Sequence, residues 1–526
     1  MHKNREKRIK SKSYEMKSFG MRAAIVLMAA LCFLATGCSS IITARKQKKE
    51  IMAAYDVGNY AEAAELIDEK AEDRKDSGDA VMWFLDCGTI NFDLGKYKKS
   101  LACFRSAEKQ INEYRDRATV SARDSGAEVG SAITNPNAIA YRGMCRDRVL
   151  LNVYKALDYF GLGNTEGAMV ELRRARFAQK VAADEFRQEI DKAQKEVDEQ
   201  NAKNRQQAAN SAITYNKLAA GSPELRKINQ ETSKHANKTY RNFLNPFVSY
   251  MSAIGYLIEN NDAEACVDFR RLNQMFANNK LVRRDYVTCS KAAGEGVPGE
   301  LSDVKPWPYQ LNRDVVFVIY ADGRGAAYKE FKIQLPLPYV GYTGIAFPVV
   351  EYFPDPPSPL NILSSNGKQL AKTTEICDMD AVVASEYKER LPTMITRLAI
   401  SYLTKEIASQ VALIAARQGG GTGGLIAAYV GTGIYKYLFN TADTRCWETI
   451  PKRYCIAHFK LPSDRKATLA TSGGTIKLKG KSKEAPVIKK AASSLELSFP
   501  APDNFFIVYV RRARNGEITA RILPVK

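Results

Sequence analysis

The feature that most constrains this chain is a short turn signature that recurs four times between helix-period stretches. The fullest copy runs Phe84…Cys87-Gly88…Asn91…Gly95-Lys96-Tyr97…Ser100…Phe104…Ala107. Small residues at Gly88, Ser100 and Ala107 let two antiparallel helices approach closely, Gly95 ends the first of them, and Tyr97 wedges the turn. The same order of small and large residues returns in Ala54-Tyr55…Gly58-Asn59-Tyr60…Ala63…Ile67 and in Ala156-Leu157…Tyr159-Phe160…Gly163-Asn164…Ala168…Leu172…Ala175. A weaker copy is Ala253…Tyr256-Leu257…Asn260-Asn261…Ala265…Phe269. A chain built this way is committed to stacked helical hairpins.

The spacing is tetratricopeptide-like, which predicts an α-helical solenoid over residues 51–290 with a concave face suited to peptide or protein. The array is irregular. Residues 113–140 are polar and loop-like, and a long charged helix is expected near 178–215, with apolar positions thinning after Val197. A solvated helix and a coiled coil are both readings of that stretch.

A linker at 291–313, rich in Gly and Pro, leads into a β-rich half over 314–526. Val315-Val316-Phe317-Val318-Ile319-Tyr320 is β-branched and aromatic, and Phe331, Ile333 and Leu335 alternate with polar neighbours up to Pro336. Further strands are predicted at 343–352, 453–461, 475–479 and 504–511, with a closing strand after the Asn515-Gly516 turn. Between them a helical insertion over 379–439 bends near Pro392 and turns almost wholly apolar from Ala408 to Ala416. Each of its arms is about half the length of a spanning helix. It is either a hairpin buried on the sheet or one that dips into a membrane or self-associates. The fold class is therefore α+β multidomain: a tetratricopeptide-like solenoid, then a β-sandwich-like domain with a helical insertion.

The amino terminus fixes an address. A basic leader with Lys3, Arg5, Lys7, Arg8, Lys10, Lys12, Lys17 and Arg22 precedes an apolar run, Ala23–Ala35, too short to span a bilayer. It closes on Leu34-Ala35-Thr36-Gly37-Cys38-Ser39, which reads as a lipoprotein signal: residues 1–37 are the signal peptide, Cys38 the acylated residue and 38–50 a tether. Met16 and Met21 are alternative starts. Ser39 follows the anchor where an Asp would suggest inner-membrane retention, so the outer membrane facing the periplasm is the expected site. The leader carries eight Lys/Arg and two acids, leaving the mature chain at +14. At this address basic surface points to anionic headgroups and wall polymers such as peptidoglycan, and away from nucleic acid.

Recognisable catalytic chemistry is scarce. Gly419, Gly421 and Gly424 match G-x-G-x-x-G formally but follow a helix, and no phosphate loop completes them. The mature chain has two histidines, His235 and His458, neither in a zinc or triad motif; His458 alternates with strand residues and suits a structural role. Asp378 and Asp380 flank a helix start, where capping accounts for both. Hence no catalytic residues, no metal ligands and no cofactor are expected. Of the ten cysteines, Cys87, Cys103 and Cys266 suit small buried positions as free thiols, and Cys446–Cys455 is the first pair to test for a bridge. Ile476-Lys477-Leu478-Lys479-Gly480-Lys481-Ser482-Lys483 is either a charge-protected edge hairpin or a contact for anionic polymer.

Several stretches together resemble a family of uncharacterised bacterial lipoproteins with tetratricopeptide-like amino-terminal halves. They are Tyr141-Arg142-Gly143, Tyr154…Ala156-Leu157-Asp158-Tyr159, Ala168…Glu171-Leu172-Arg173-Arg174, Asn245-Pro246-Phe247…Tyr250, Asp322-Gly323-Arg324-Gly325, Ala442-Asp443-Thr444-Arg445-Cys446-Trp447 and Ile450-Pro451. The resemblance implies an envelope lipoprotein without an assigned reaction, associated with small lipoproteins that resemble activators of peptidoglycan synthases. The expected function is a membrane-anchored, non-enzymatic scaffold with a protein partner in the solenoid groove. The alternative is a wall-binding or wall-active protein whose carboxy-terminal domain contacts glycan.

Overall fold

The computed structural model describes residues 46–121, 140–207, 213–236, 245–337, 341–419, 441–477 and 487–525. Among the described residues, those within 51–407 and 442–525 form one compact unit. The chain is α+β, with helices in its first half and sheets in its second.

A helical stretch over residues 46–56 leads the first hairpin, and after it come α1 (Tyr60–Asp73), α2 (Ala80–Leu94), α3 (Tyr97–Ser121), α4 (Cys145–Gly161), α5 (Thr165–Gln207), α6 (Tyr215–Gly221), α7 (Pro223–Ala236), α8 (Pro246–Ile258), α9 (Asp262–Met275) and α10 (Lys280–Ala292). The four turns found in the sequence share one geometry. Gly58, Gly95, Gly163 and Asn260 all take positive φ, at 83°, 85°, 71° and 56°. In each turn that residue's N–H donates three residues back, as Gly95 does to Phe92 at 2.8 Å. The next N–H donates five residues back, as Lys96 does to Asn91 at 2.8 Å. This left-handed cap satisfies carbonyls that the ending helix leaves open. Asn59, Asn164 and Asn261 then cap the following helix by accepting from the N–H of Glu62, Gly167 and Glu264. Gly88 faces α3: a Cβ there would overlap the Phe104 ring.

Two boundaries differ from the sequence reading. Helix α3 runs on to Ser121, through the start of the stretch expected to be a loop. The long helix begins at Thr165, because the second helix of the third hairpin continues without a break for 43 residues, about 64 Å.

The β-rich half has a five-stranded sheet in the order β13 (Ile518–Val525), β12 (Phe505–Arg512), β1 (Val315–Asp322), β7 (Arg453–Lys460), β6 (Thr374–Asp378), a four-stranded sheet in the order β11 (Ser493–Ser498), β8 (Lys466–Thr471), β4 (Leu360–Leu363), β5 (Gln369–Lys372), and a ribbon of β9 (Gly474–Lys477) with β10 (Val487–Lys490). Strand β1 (Val315–Asp322) is central; it pairs parallel to β12 (Phe505–Arg512) and antiparallel to β7 (Arg453–Lys460). All eight residues of β1 are buried, so both faces of this sheet are covered. That is why its sequence is continuously apolar rather than alternating. On one face Val316, Val318, Val508 and Ala457 pack with Leu360, Ile362 and Leu469 of the four-stranded sheet. The opposite face receives the helices: Phe247 of α8 stacks on Tyr454 at 3.8 Å, and Phe92 of α2 meets Tyr509 edge-on at 4.8 Å. Strands β2 (Ala327–Leu337) and β3 (Gly341–Glu351) form a separate ribbon. Its Ile333, Leu335, Ile345 and Phe347 share a core with Leu391 and Ile395 of the helix α11 (Met379–Gly419). Strand β2 continues through Pro336, where the sequence suggested a stop.

The second arm of the expected apolar hairpin, residues 420–439, lies outside the described residues, as do Cys38 and the leader. Among the described residues no helix is long and apolar enough to cross a membrane.

Candidate functional site

Helices α2 and α4, the leading helices of the second and third hairpins, are buried almost throughout. Helix α2 is strongly apolar yet carries Asp86 and Asp93, two turns apart on one face, and both are about 1 % exposed. Buried acids need specific donors, and the structure supplies them from the far end of the chain.

The segment 442–450, which has no regular secondary structure, lies across these helices as an extended strap. Asp86 Oδ1 accepts the backbone N–H of Glu448 at 3.0 Å and of Thr449 at 3.1 Å, and the Thr449 hydroxyl at 3.0 Å. Trp447 Nε1 donates to Thr89 Oγ1 at 2.9 Å, and its ring packs against the stacked pair Phe104 and Tyr154, centroids 5.8 and 5.5 Å away. Arg445 is held flat by Asp443, with Nε–Oδ1 2.8 Å and Nη2–Oδ2 2.7 Å, and reaches Asp79 through Nη1 at 3.0 Å. Burial works against its charge, but Asp443 and Asp79 together hold the guanidinium above its ordinary range. Arg324 ties the strap to the first hairpin, donating to Glu448 at 2.5 Å and to Asp56 at 2.9 Å. Gly325 is glycine because a Cβ would stand 3.0 Å from the carbonyl oxygens of Ile450 and Pro451.

Beside the strap lies a second buried network. Arg511 of β12 donates from Nε to the Tyr55 hydroxyl at 3.1 Å and from Nη1 to the Ala321 and Gly323 carbonyls. Tyr55 donates to Asp93 at 2.6 Å. Burial pushes the Asp93 carboxyl up to about 6 against the pull of Arg511. A third network centres on Asp285 of α10, which accepts from His458 Nε2 at 2.7 Å, Trp307 Nε1 at 2.7 Å and the Tyr250 hydroxyl at 2.6 Å. The Tyr309 hydroxyl lies 3.0 Å from His458 Nδ1. Both Asp285 and His458 side chains are fully buried, so this pair ties α8, α10, β7 and the 302–313 segment together.

The residues singled out in the sequence fall in several places. His458 sits on β7 in this structural network, while His235 stacks on Tyr352 at 3.7 Å. Asp378 caps α11, accepting from the N–H of Asp380 and Ala381. Asp380 does not cap. It is buried, accepts from Ala326 N–H and pairs with Lys452. A disulfide joins Cys87 and Cys103 across α2 and α3, and Cys446 and Cys455 are buried thiols that are not bridged to each other. That overturns both the expected pairing and the free-thiol reading of Cys87 and Cys103: the closely packed hairpin sets their Cα atoms 6.0 Å apart, which suits a bridge. Gly419 ends the described part of α11, while Gly421 and Gly424 fall outside the described residues. Among the described residues no group of three or more His, Cys, Asp or Glu is placed to hold a metal ion.

Most of the resemblance-bearing stretches meet here. Tyr141 lies under Arg445, Tyr154 beside Trp447, and Phe247 and Tyr250 contact Tyr454 and Asp285. Their visible work is holding helices to sheet and strap. Asp79, Asp86 and Thr89 escaped the sequence reading, although acids in an apolar helix were the available signal. Compared with known proteins, the chain matches no family model and no curated sequence.

Proposed function

We propose that this chain is a non-enzymatic envelope scaffold of the lipoprotein family it resembles, held through acylated Cys38 on the periplasmic side of the outer membrane. In this reading its hairpins form a tetratricopeptide-like solenoid whose inner face takes an extended segment of a protein partner near the cell wall. One observation supports the reading: helix α2 of the hairpins already grips an extended segment, 442–450, through a carboxylate that accepts consecutive backbone N–H groups. Such contacts recognise peptide backbone.

Crosslinking in intact cells tests the proposal. Protein adducts on residues 51–290 are the expected result, whereas salt-resistant retention on isolated sacculi without protein adducts would replace it with direct wall binding. Cys38→Ser tests the anchor: it should release the chain from the membrane fraction, since retention depends on acyl burial. Attachment unchanged by that substitution would place the anchor elsewhere.

A further inference from the structure

We infer that the strap 442–450 is a tethered occupant of the partner groove, and that the partner presents an extended segment with the same chemistry: an arginine, then an aromatic residue two positions on. This rests on the scaffold reading and specifies how its groove is used.

The strap meets its site as a bound peptide would. Its backbone is read at Glu448 and Thr449 by Asp86, which also accepts the Thr449 hydroxyl. Its specificity lies chiefly in two side chains, Arg445 on Asp79 and Trp447 packed against Thr89 and the stacked pair Phe104 and Tyr154, with the Thr449 hydroxyl on Asp86 beside them. It touches three hairpins in succession: Arg445 lies over Tyr141 ahead of α4, Asp86 and Thr89 belong to α2, and the Thr449 carbonyl lies 3.3 Å from the Tyr55 hydroxyl of the first hairpin. No element of the strap is paired into a strand ladder, so its hold on the helices is made of the contacts a separate peptide could also make. Because it is covalently tethered, its effective concentration exceeds that of a partner in solution, and it keeps weak competitors out. A partner then gains the groove only by displacing it.

The Arg445–Asp79 ion pair allows a clean test, because it can be broken from either side. A fluorescent peptide of residues 442–451, carrying Cys446→Ser, is titrated against the full chain and followed by anisotropy. In Arg445→Ala the strap is weakened while Asp79 remains to receive the arginine of the added peptide. In Asp79→Ala the strap is weakened by loss of the same pair, but the receiving carboxylate is gone. The inference expects Arg445→Ala to bind the peptide at least about tenfold more tightly than either the wild type or Asp79→Ala. Equal affinity across the three folded proteins, or no binding to any of them, overturns it and makes the strap a permanent part of the core. If Arg445→Ala fails to fold, Arg445→Lys keeps the charge but loses the planar fork and gives the same comparison. Failure of the scaffold reading appears separately, as an absence of crosslinked protein in cells, and leaves the peptide result standing.

Discussion

The two faces of the five-stranded sheet are built on different principles. Toward the four-stranded sheet the contacts are aliphatic: Val316, Val318 and Val508 against Leu360, Ile362 and Leu469. Toward the helices they are aromatic and hydrogen-bonded. Tyr154 meets Tyr454 hydroxyl to hydroxyl at 3.0 Å, Arg511 meets Tyr55 and Asp93, and His458 meets Asp285. Aliphatic packing is non-directional and tolerates small shifts. A buried polar network is satisfied in one arrangement only, and leaving one member unpaired is costly. The helix-facing side therefore fixes how hairpins, strap and sheet are registered, and the other side supplies undirected stability.

The largest expected effect tests that division. Trp447→Ala removes a side chain that is 1 % exposed and should cost about 3–5 kcal/mol. Leu469→Ala on the aliphatic face should cost about 2–5 kcal/mol. They should differ in kind. Limited proteolysis of Trp447→Ala should open hairpins and sheet together, because the strap joins them. A protease-stable fragment starting near residue 300 would show instead that the β-rich half stands alone.

Next in size is the Cys87–Cys103 bridge, which closes a loop with a sequence separation of 16 inside the second hairpin. Loop closure of this size is worth about 2–4 kcal/mol. Cys87→Ala with Cys103→Ala should lower the denaturation midpoint accordingly, and reductant should then have no further effect on that variant. A midpoint identical to that of the wild type would mean that the thiols are not joined in solution. Smaller again is Gly88→Leu, whose side chain must enter the space of Phe104. Overpacking of this kind costs about 1–3 kcal/mol, and amide exchange should quicken in α2 and α3 before it does in β8 (Lys466–Thr471).

The same contrast explains what could be read in the sequence. Turns at Gly58, Gly95, Gly163 and Asn260 were legible because a left-handed cap demands particular residues locally. Strand β1 was legible because burial on both faces leaves an unbroken apolar run. Strands such as β5 (Gln369–Lys372) and β11 (Ser493–Ser498) were missed; they are short and half polar, and only pairing across the sheet defines them. The site was harder still. Asp285 and His458 are 173 positions apart and Asp86 and Thr449 363 apart, and nothing local announces such a partner. Arg445 and Trp447 stood out within a motif, but the acids and rings that receive them did not.

The smallest expected effect is a gain. Asp158 on α4 is fully buried, and its one hydrogen bond comes from the Ser100 hydroxyl at 2.8 Å. Its other oxygen has no hydrogen-bond partner among the described residues. Burial drives its carboxyl well above the ordinary range, and only Ser100 pulls it back. A raised carboxyl means the folded chain holds a proton that the unfolded chain releases above a pH of about 4. Stability from this group is thus complete below that pH and is lost progressively as pH rises toward the folded-state value. In the sheet-facing networks an acid has a cation or several donors, and replacing it should always cost. Asp158→Asn keeps the shape and the acceptor for Ser100 without the ionisable proton, so at pH 7 it should raise Tm by a few degrees. The gain should vanish when the melt is repeated below pH 4. A lower Tm at pH 7 would mean that ionised Asp158 is stabilised by a partner, and that polar burial between hairpins follows the same rule as burial against the sheet.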